Sequence, residues 1–65
     1  MKLIVNGEDR DVPAATLEEA VAALGYKGDC FAVALNRACV PRGRHAATAV
    51  KDGDEVEILA PMQGG

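Results

Sequence analysis

Aromatic side chains are nearly missing from this sequence: Tyr26 and Phe31 are the only two, and tryptophan is absent. Positive charge is also scarce, with seven basic residues against ten acidic ones and a formal net charge of -3. The chain therefore lacks both the stacking platforms and the basic surface that nucleic acids require, which excludes their binding as the main function. Long apolar runs are missing as well. The opening run, residues 1–5, stops at Asn6 and Gly7 before a signal-peptide core could form. The stretch from Cys30 to Leu35 is far shorter than the ~20 residues that span a bilayer. A cytoplasmic protein with no membrane partner is expected. Cysteine is limited to Cys30 and Cys39, whereas small secreted scaffolds usually carry several disulfides, so free thiols are expected. With one histidine, His45, and those two cysteines nine apart, the ligands of a structural metal site are not there.

What is present is enough for one small domain. Of the 65 residues, 49% are hydrophobic and 26% charged, too apolar for disorder and too short for two cores. A domain of this size buries about 60% of the surface of its unfolded chain. Its single core supplies roughly 3–5 kcal/mol of net stability. A deep catalytic cleft does not fit.

The pattern along the chain predicts strands at residues 2–6 and 8–12, joined by a tight turn at Asn6 and Gly7 and ended by Pro13. Thr16, Leu17, Glu18, Glu19 forms a capping box, in which the Thr16 hydroxyl accepts from the Glu19 amide and the Glu19 carboxylate reaches back to the Thr16 amide. Leu17, Ala20, Val21 and Leu24 then recur on one helical face, and Gly25 is suited to the left-handed closing residue. Phe31, Val33 and Leu35 alternate with Ala32 and Ala34, which predicts a strand with one large and one small face. A turn at Arg37 and Ala38 would pair Leu35 with Val40, make residues 39–42 an edge strand interrupted by Pro41, and set Cys30 opposite His45. The two thiols would then lie on the order of 20 Å apart, beyond disulfide reach. Residues 43–49 read as a small polar connection with His45 at the surface. Val56 and Ile58 point inward from a last strand beginning at Glu55, while Asp52, Asp54, Glu55 and Glu57 read as solvated. The domain is expected to cover residues 1–60, with residues 61–65 a flexible tail.

Most catalytic chemistry finds no support here. A thiol–His45 dyad has neither a base orienter nor an oxyanion hole beside it, and Gly25 and Gly28 lack the spacing of a phosphate loop. The carboxylate of Gly65 remains. Once adenylated it becomes an acyl donor open to a thiol, persulfide, hydrosulfide or amine. Gly64 and Gly65 carry no side chains, so Met62, Gln63, Gly64 and Gly65 could thread a narrow channel into another protein's active site. A Gly-Gly ending can equally be a plain disordered end.

The segments K-L-I-V-N-G-E, T-L-E-E-A-V-A-A-L-G, V-A-L-N with C-V-P-R, D-G-D-E-V-E-I-L and the closing P-M-Q-G-G follow one another in the chain. In this order they resemble the ubiquitin-like ThiS/MoaD family of sulfur carriers, and within it the thiamin-biosynthetic ThiS branch. The sequence departs from the usual pattern at His45, where a bulky tryptophan often follows the V-P-R step, and in having Cys30 and Cys39. The resemblance implies an α+β fold, a ubiquitin-like β-grasp with a mixed sheet of about five strands and one main helix on one face. It implies a protein cosubstrate, not an enzyme, with no bound cofactor. An E1-like adenylyltransferase (ThiF-like) would use ATP and Mg2+ to adenylate Gly65. A persulfide donor would turn the adenylate into a thiocarboxylate, and thiazole synthase (ThiG-like) would take the sulfur. Carriers for molybdopterin, tRNA thiolation or cysteine synthesis are similar, as are ubiquitin-like modifiers.

On this fold the expected core is Leu3, Val5, Leu17, Val21, Leu24, Phe31, Val33, Leu35, Val56 and Ile58. The opposite sheet face, with Ala32, Ala34 and Leu59, is expected to stay open for partner docking.

Overall fold

Two hairpins, a helix between them and a returning strand make up the chain. The computed structural model describes residues 1–26 and 31–59. Strand β1 (Lys2–Val5) turns through Asn6 and Gly7 into β2 (Glu8–Asp11), with Lys2 opposite Asp11 and Val5 opposite Glu8. Both turn residues have positive φ, 50° at Asn6 and 84° at Gly7, the geometry of the two-residue turn that matches strand twist. Helix α1 (Leu17–Ala23) follows, then β3 (Ala32–Leu35), β4 (Ala38–Val40), a 3-10 helix (Arg42–Ala47) and β5 (Glu55–Leu59). The five strands form one mixed sheet in the order β2-β1-β5-β3-β4. Strands β1 and β5 are parallel, and the other pairs are antiparallel. The last strand in sequence thus lies at the centre of the sheet.

Local chemistry sets the limits of the helix. The Thr16 hydroxyl accepts from the Glu19 amide at 3.2 Å, as expected, but the Glu19 carboxylate accepts from the Ala15 amide at 2.8 Å and not from that of Thr16. Thr16 is in extended backbone and bridges to Ala49. At the other end the Tyr26 amide reaches the Val21 carbonyl and the Gly25 amide reaches that of Ala22, with Gly25 at φ 94°. This double closure satisfies carbonyls that the helix end leaves open. Seven helical residues are too few to persist alone, so packing holds the element.

The core consists of Leu3, Val5, Val12, Leu17, Ala20, Val21, Val33, Val50, Val56 and Ile58, all buried. It joins α1 to one face of the sheet. Leu24, Phe31 and Leu35 belong to its margin, half-buried against it, whereas Val12, Ala20 and Val50 are fully part of it. Val12 and Val50 flank the strands proper, and their backbones are held by Met1 and Ala15: the Val12 amide donates to the Met1 carbonyl at 2.8 Å and that of Val50 to the Ala15 carbonyl at 3.1 Å. Burial there follows from tertiary pairing that no periodicity announces.

Four further expectations need correction. Turn two is formed by Asn36 and Arg37, not Arg37 and Ala38, so Leu35 pairs with Ala38, Ala34 with Cys39 and Val33 with Val40. The reason is that Asn36 is engaged elsewhere, its backbone amide donating to the Glu55 carbonyl at 2.7 Å. Strand β4 consequently ends at Val40, and Cys30 lies outside the described residues. Residues 42–47 are a 3-10 helix instead of an irregular connection, and His45 within it is buried, not superficial. Its Nε2 stands 3.1 Å from the Val40 carbonyl, which only accepts, so this nitrogen carries the hydrogen and the ring pins the 3-10 helix to β4. Lastly, Asp54 is buried.

Arg37 is held at φ 71° in this second turn, a left-handed conformation that costs a residue with a β-carbon about 1–2 kcal/mol. Asn6-Gly7 shows the unstrained version. Arg37→Gly relieves the strain at the cost of some unfolded-chain entropy, and is expected to raise stability by about 0.5–1 kcal/mol in urea unfolding. A lower midpoint would mean that the Arg37 contact with Glu55, at 3.9 Å, outweighs the backbone strain.

Candidate functional site

The open face of the sheet is set by the alternation along each strand. Inward-facing Val33, Val56 and Ile58 leave Ala32, Ala34, Glu57 and Leu59 on the other side, with Ala32 opposite Leu59 and Ala34 opposite Glu57 on β5 and opposite Cys39 on β4. Ala32 and Cys39 are exposed and Ala34 is half-buried; Leu59 is 75% exposed. Together with Asn6 and Val33 these residues line a shallow hollow of about 230 Å³. A larger hollow of about 440 Å³ lies toward β2, lined by Lys2, Leu3, Ile4, Asp9, Arg10, Asp11 and Gly53. It is not at the end of β5 and holds charges of both signs, so the smaller hollow is the better candidate.

Charge surrounds the apolar part of this face unevenly. Register places Asp9 beside Ile4, Asp11 beside Lys2, and Glu55 beside Ile4 on the far side. With Glu57 that makes four carboxylates beside Lys2 on the same face; the N-terminal ammonium lies 3.2 Å from Asp11 and the Arg37 guanidinium 3.9 Å from Glu55, surface pairs that water weakens. A small-residue strip within an acidic border suits a partner that presents apolar side chains flanked by basic ones.

Strand β5 is held at both ends by asparagine carboxamides. Asn36 donates through Nδ2 to Asp54 Oδ1 at 3.1 Å and accepts the Glu55 amide on Oδ1 at 3.0 Å. Asn6 accepts the Ile58 amide on Oδ1 at 2.8 Å and offers Nδ2 to the Ile58 carbonyl at 3.4 Å. Sequence reasoning assigned Asn6 to its turn and placed Asn36 in a ladder, and it missed both carboxamides. An asparagine at a hairpin turn signals backbone conformation far more clearly than it signals a distant side-chain partner.

Asp54 completes the first of these anchors. Burial alone would raise its pKa, but the Asn36 hydrogen bond, the Lys51 amide at 2.9 Å and the Lys51 charge together outweigh that and hold it below the usual carboxylate value. Among the described residues, no group of three or more His, Cys, Asp or Glu side chains could hold a metal ion, and no helix is long and apolar enough to cross a membrane. Met62, Gln63, Gly64 and Gly65 lie outside the described residues. In the sequence they follow Leu59, the last residue of β5, after Ala60 and Pro61.

Comparison with known proteins decides the family. The ThiS family model matches residues 3–65. The chain belongs to the ThiS family. A sulfur carrier protein ThiS from Thermus thermophilus is 36% identical over 61 residues, covering 94% of this chain and 95% of that one. A crystal structure of the thiamine biosynthesis protein ThiS from Geobacter metallireducens superposes with a TM-score of 0.81 at 39% identity, over 100% of both chains. Its solution structure gives 0.83. The ubiquitin-like β-grasp fold expected from the resemblance is therefore shown. A thiazole synthase from Paramagnetospirillum magneticum is 42% identical over 66 residues. The match takes in the whole of this chain but only 20% of that protein, and the same holds for a 35% identical thiazole synthase from Magnetococcus marinus.

The depressed pKa of Asp54 has a measurable consequence. A carboxylate held below its unfolded value stabilises the fold above about pH 4, and that contribution is lost as the pH falls through the folded value. The stability difference between the natural chain and Asp54→Asn, from urea unfolding, should shrink as the pH is lowered below about 4. A difference independent of pH would show that Asp54 acts only through its shape and hydrogen bonds.

Proposed function

We propose that this domain is a protein cosubstrate whose Gly65 carboxylate carries sulfur for thiazole formation in thiamin biosynthesis. The observation that supports this most strongly is the family match, which extends through Gly64 and Gly65. In the first step a Gly65 carboxylate oxygen attacks the α-phosphorus of ATP, held with Mg2+ by an E1-like adenylyltransferase, and pyrophosphate leaves. A sulfur nucleophile then expels AMP from the acyl adenylate. Hydrosulfide yields the thiocarboxylate directly, whereas a persulfide leaves an acyl disulfide that a thiol must reduce. The carrier's own cysteines take no part, and the dependence on ATP makes this a cytoplasmic reaction.

Thiazole synthase is the sulfur acceptor in this reading. In the two relatives so named, a segment similar to the entire carrier is part of one polypeptide. Such joining raises the effective concentration of one partner at the other to the millimolar range, which is useful only if the two must meet. The hollow with Ala32, Ala34 and Leu59 is the docking surface, contacted by basic side chains around an apolar contact, while Met62, Gln63, Gly64 and Gly65 enter the partner's active site. Small residues in that tail let it pass a channel too narrow for a β-carbon and take up backbone angles that other residues avoid.

A paired measurement tests this. Gly64→Ala should leave the melting temperature unchanged, because a glycine side chain adds nothing to the core that the described residues form, while ATP–pyrophosphate exchange with an E1-like adenylyltransferase falls strongly. Deletion of Gly65 should abolish exchange. Normal exchange after that deletion would remove the terminal carboxylate from the mechanism.

A further inference from the structure

The ladder between β1 and β5 ends in an unusual way. The Ile4 amide donates to the Asp54 carbonyl and the Asn6 amide to the Val56 carbonyl, both at 2.9 Å. Continued parallel pairing would next engage the amide and carbonyl of Ile58, but the chain turns away at Asn6, φ 50°, to form β2. The Asn6 side chain fills this place. A primary carboxamide has the acceptor and donor of a peptide group, and here Oδ1 takes the Ile58 amide while Nδ2 faces the Ile58 carbonyl. It serves as one further peptide unit of β1.

We propose that Asn6 is a positioning residue for the reacting end: by closing the ladder at Ile58 it fixes the end of β5, from which the sequence runs on to Gly65. This rests on the reading of Gly65 as the reacting end. Ile58 is held from the β1 side by this carboxamide and by burial of its side chain, and Leu59 is held from the other side by pairing with Ala32. Six residues lead from Leu59 to Gly65, and fully extended they span at most about 20 Å. Release of Ile58 lets β5 peel back by two residues, which changes the reach by roughly 7 Å and loses the starting direction. An attacking carboxylate must come within about 3–3.5 Å of the phosphorus, and a misplacement of about 1 Å can cost a hundredfold in rate.

Asn36 is a built-in control. It is the same residue type at the same φ, in the equivalent turn of the other hairpin, and it anchors the opposite end of β5. Asn6→Gly and Asn36→Gly both retain the turn conformation and both remove a carboxamide from β5, so their effects on stability are comparable. Their effects on activation should differ. The probe is ATP–pyrophosphate exchange with an E1-like adenylyltransferase, assayed at a temperature where both variants are folded. Asn6→Gly is expected to lower kcat about tenfold or more with a smaller change in KM, and Asn36→Gly to leave kcat within about twofold. Asn6→Asp keeps the acceptor for the Ile58 amide and should recover part of the loss. In parallel, amide hydrogen exchange should lose protection at Ile58 in Asn6→Gly alone. Equal kcat in the two glycine variants, or unaltered Ile58 protection in Asn6→Gly, overturns the positioning role and leaves the carrier reading intact. Absence of exchange with the unaltered chain overturns both.

Discussion

The fold depends on holding its last strand as its central one. A strand that arrives last and inserts between two finished hairpins needs partners on both edges, and β5 finds parallel pairing with β1 and antiparallel pairing with β3. Pairing strands this far apart in sequence closes a long loop, whose entropy has to be met before the contacts repay it. The carboxamides of Asn6 and Asn36 extend that pairing past the points where both hairpins turn away. Val56 and Ile58, buried from the same strand, tie it to α1 through the core.

This arrangement also separates two duties within one short strand. Inward residues of β5 maintain the core, while Glu57 and Leu59 face outward beside Ala32 and Ala34. The outward residues are free to serve recognition because removing them exposes no buried surface. The edges of the sheet are protected by other means: β2 is made of Glu8, Asp9, Arg10 and Asp11, all exposed and charged, and β4 is three residues long and followed by Pro41. Short or charged edges resist unwanted pairing with other chains.

Much of this was legible from residue patterns, and the misses share a cause. Alternation in Val33, Val56 and Ile58 and the helical spacing of Leu17, Ala20 and Val21 report burial through backbone period alone, and those residues are buried. The Thr16 cap and the Gly25 closure are likewise local. His45, Asp54, Val12 and Val50 are buried by contacts between segments distant in sequence, and a charged or aromatic polar residue in a turn carries no local sign of such contacts. The slip at Asn36 and Arg37 has the same origin: the turn was placed by its neighbours in sequence, whereas the amide and carboxamide of Asn36 are committed to Glu55 and Asp54 across the sheet. The proposed reacting group rests on a different basis. Met62, Gln63, Gly64 and Gly65 point to a function by composition and resemblance, without recourse to tertiary structure.

Transfer of sulfur to Gly65 is the centre of this account, and the most direct observation is the mass of the chain itself. The purified protein, incubated with an E1-like adenylyltransferase, ATP, Mg2+ and a sulfide or persulfide source, should gain the mass that separates one sulfur from one oxygen. Fragmentation should place the change on Gly65. A mass shift on Cys30 or Cys39 instead, or an unshifted chain that has nonetheless supplied sulfur to thiazole synthase, would contradict it.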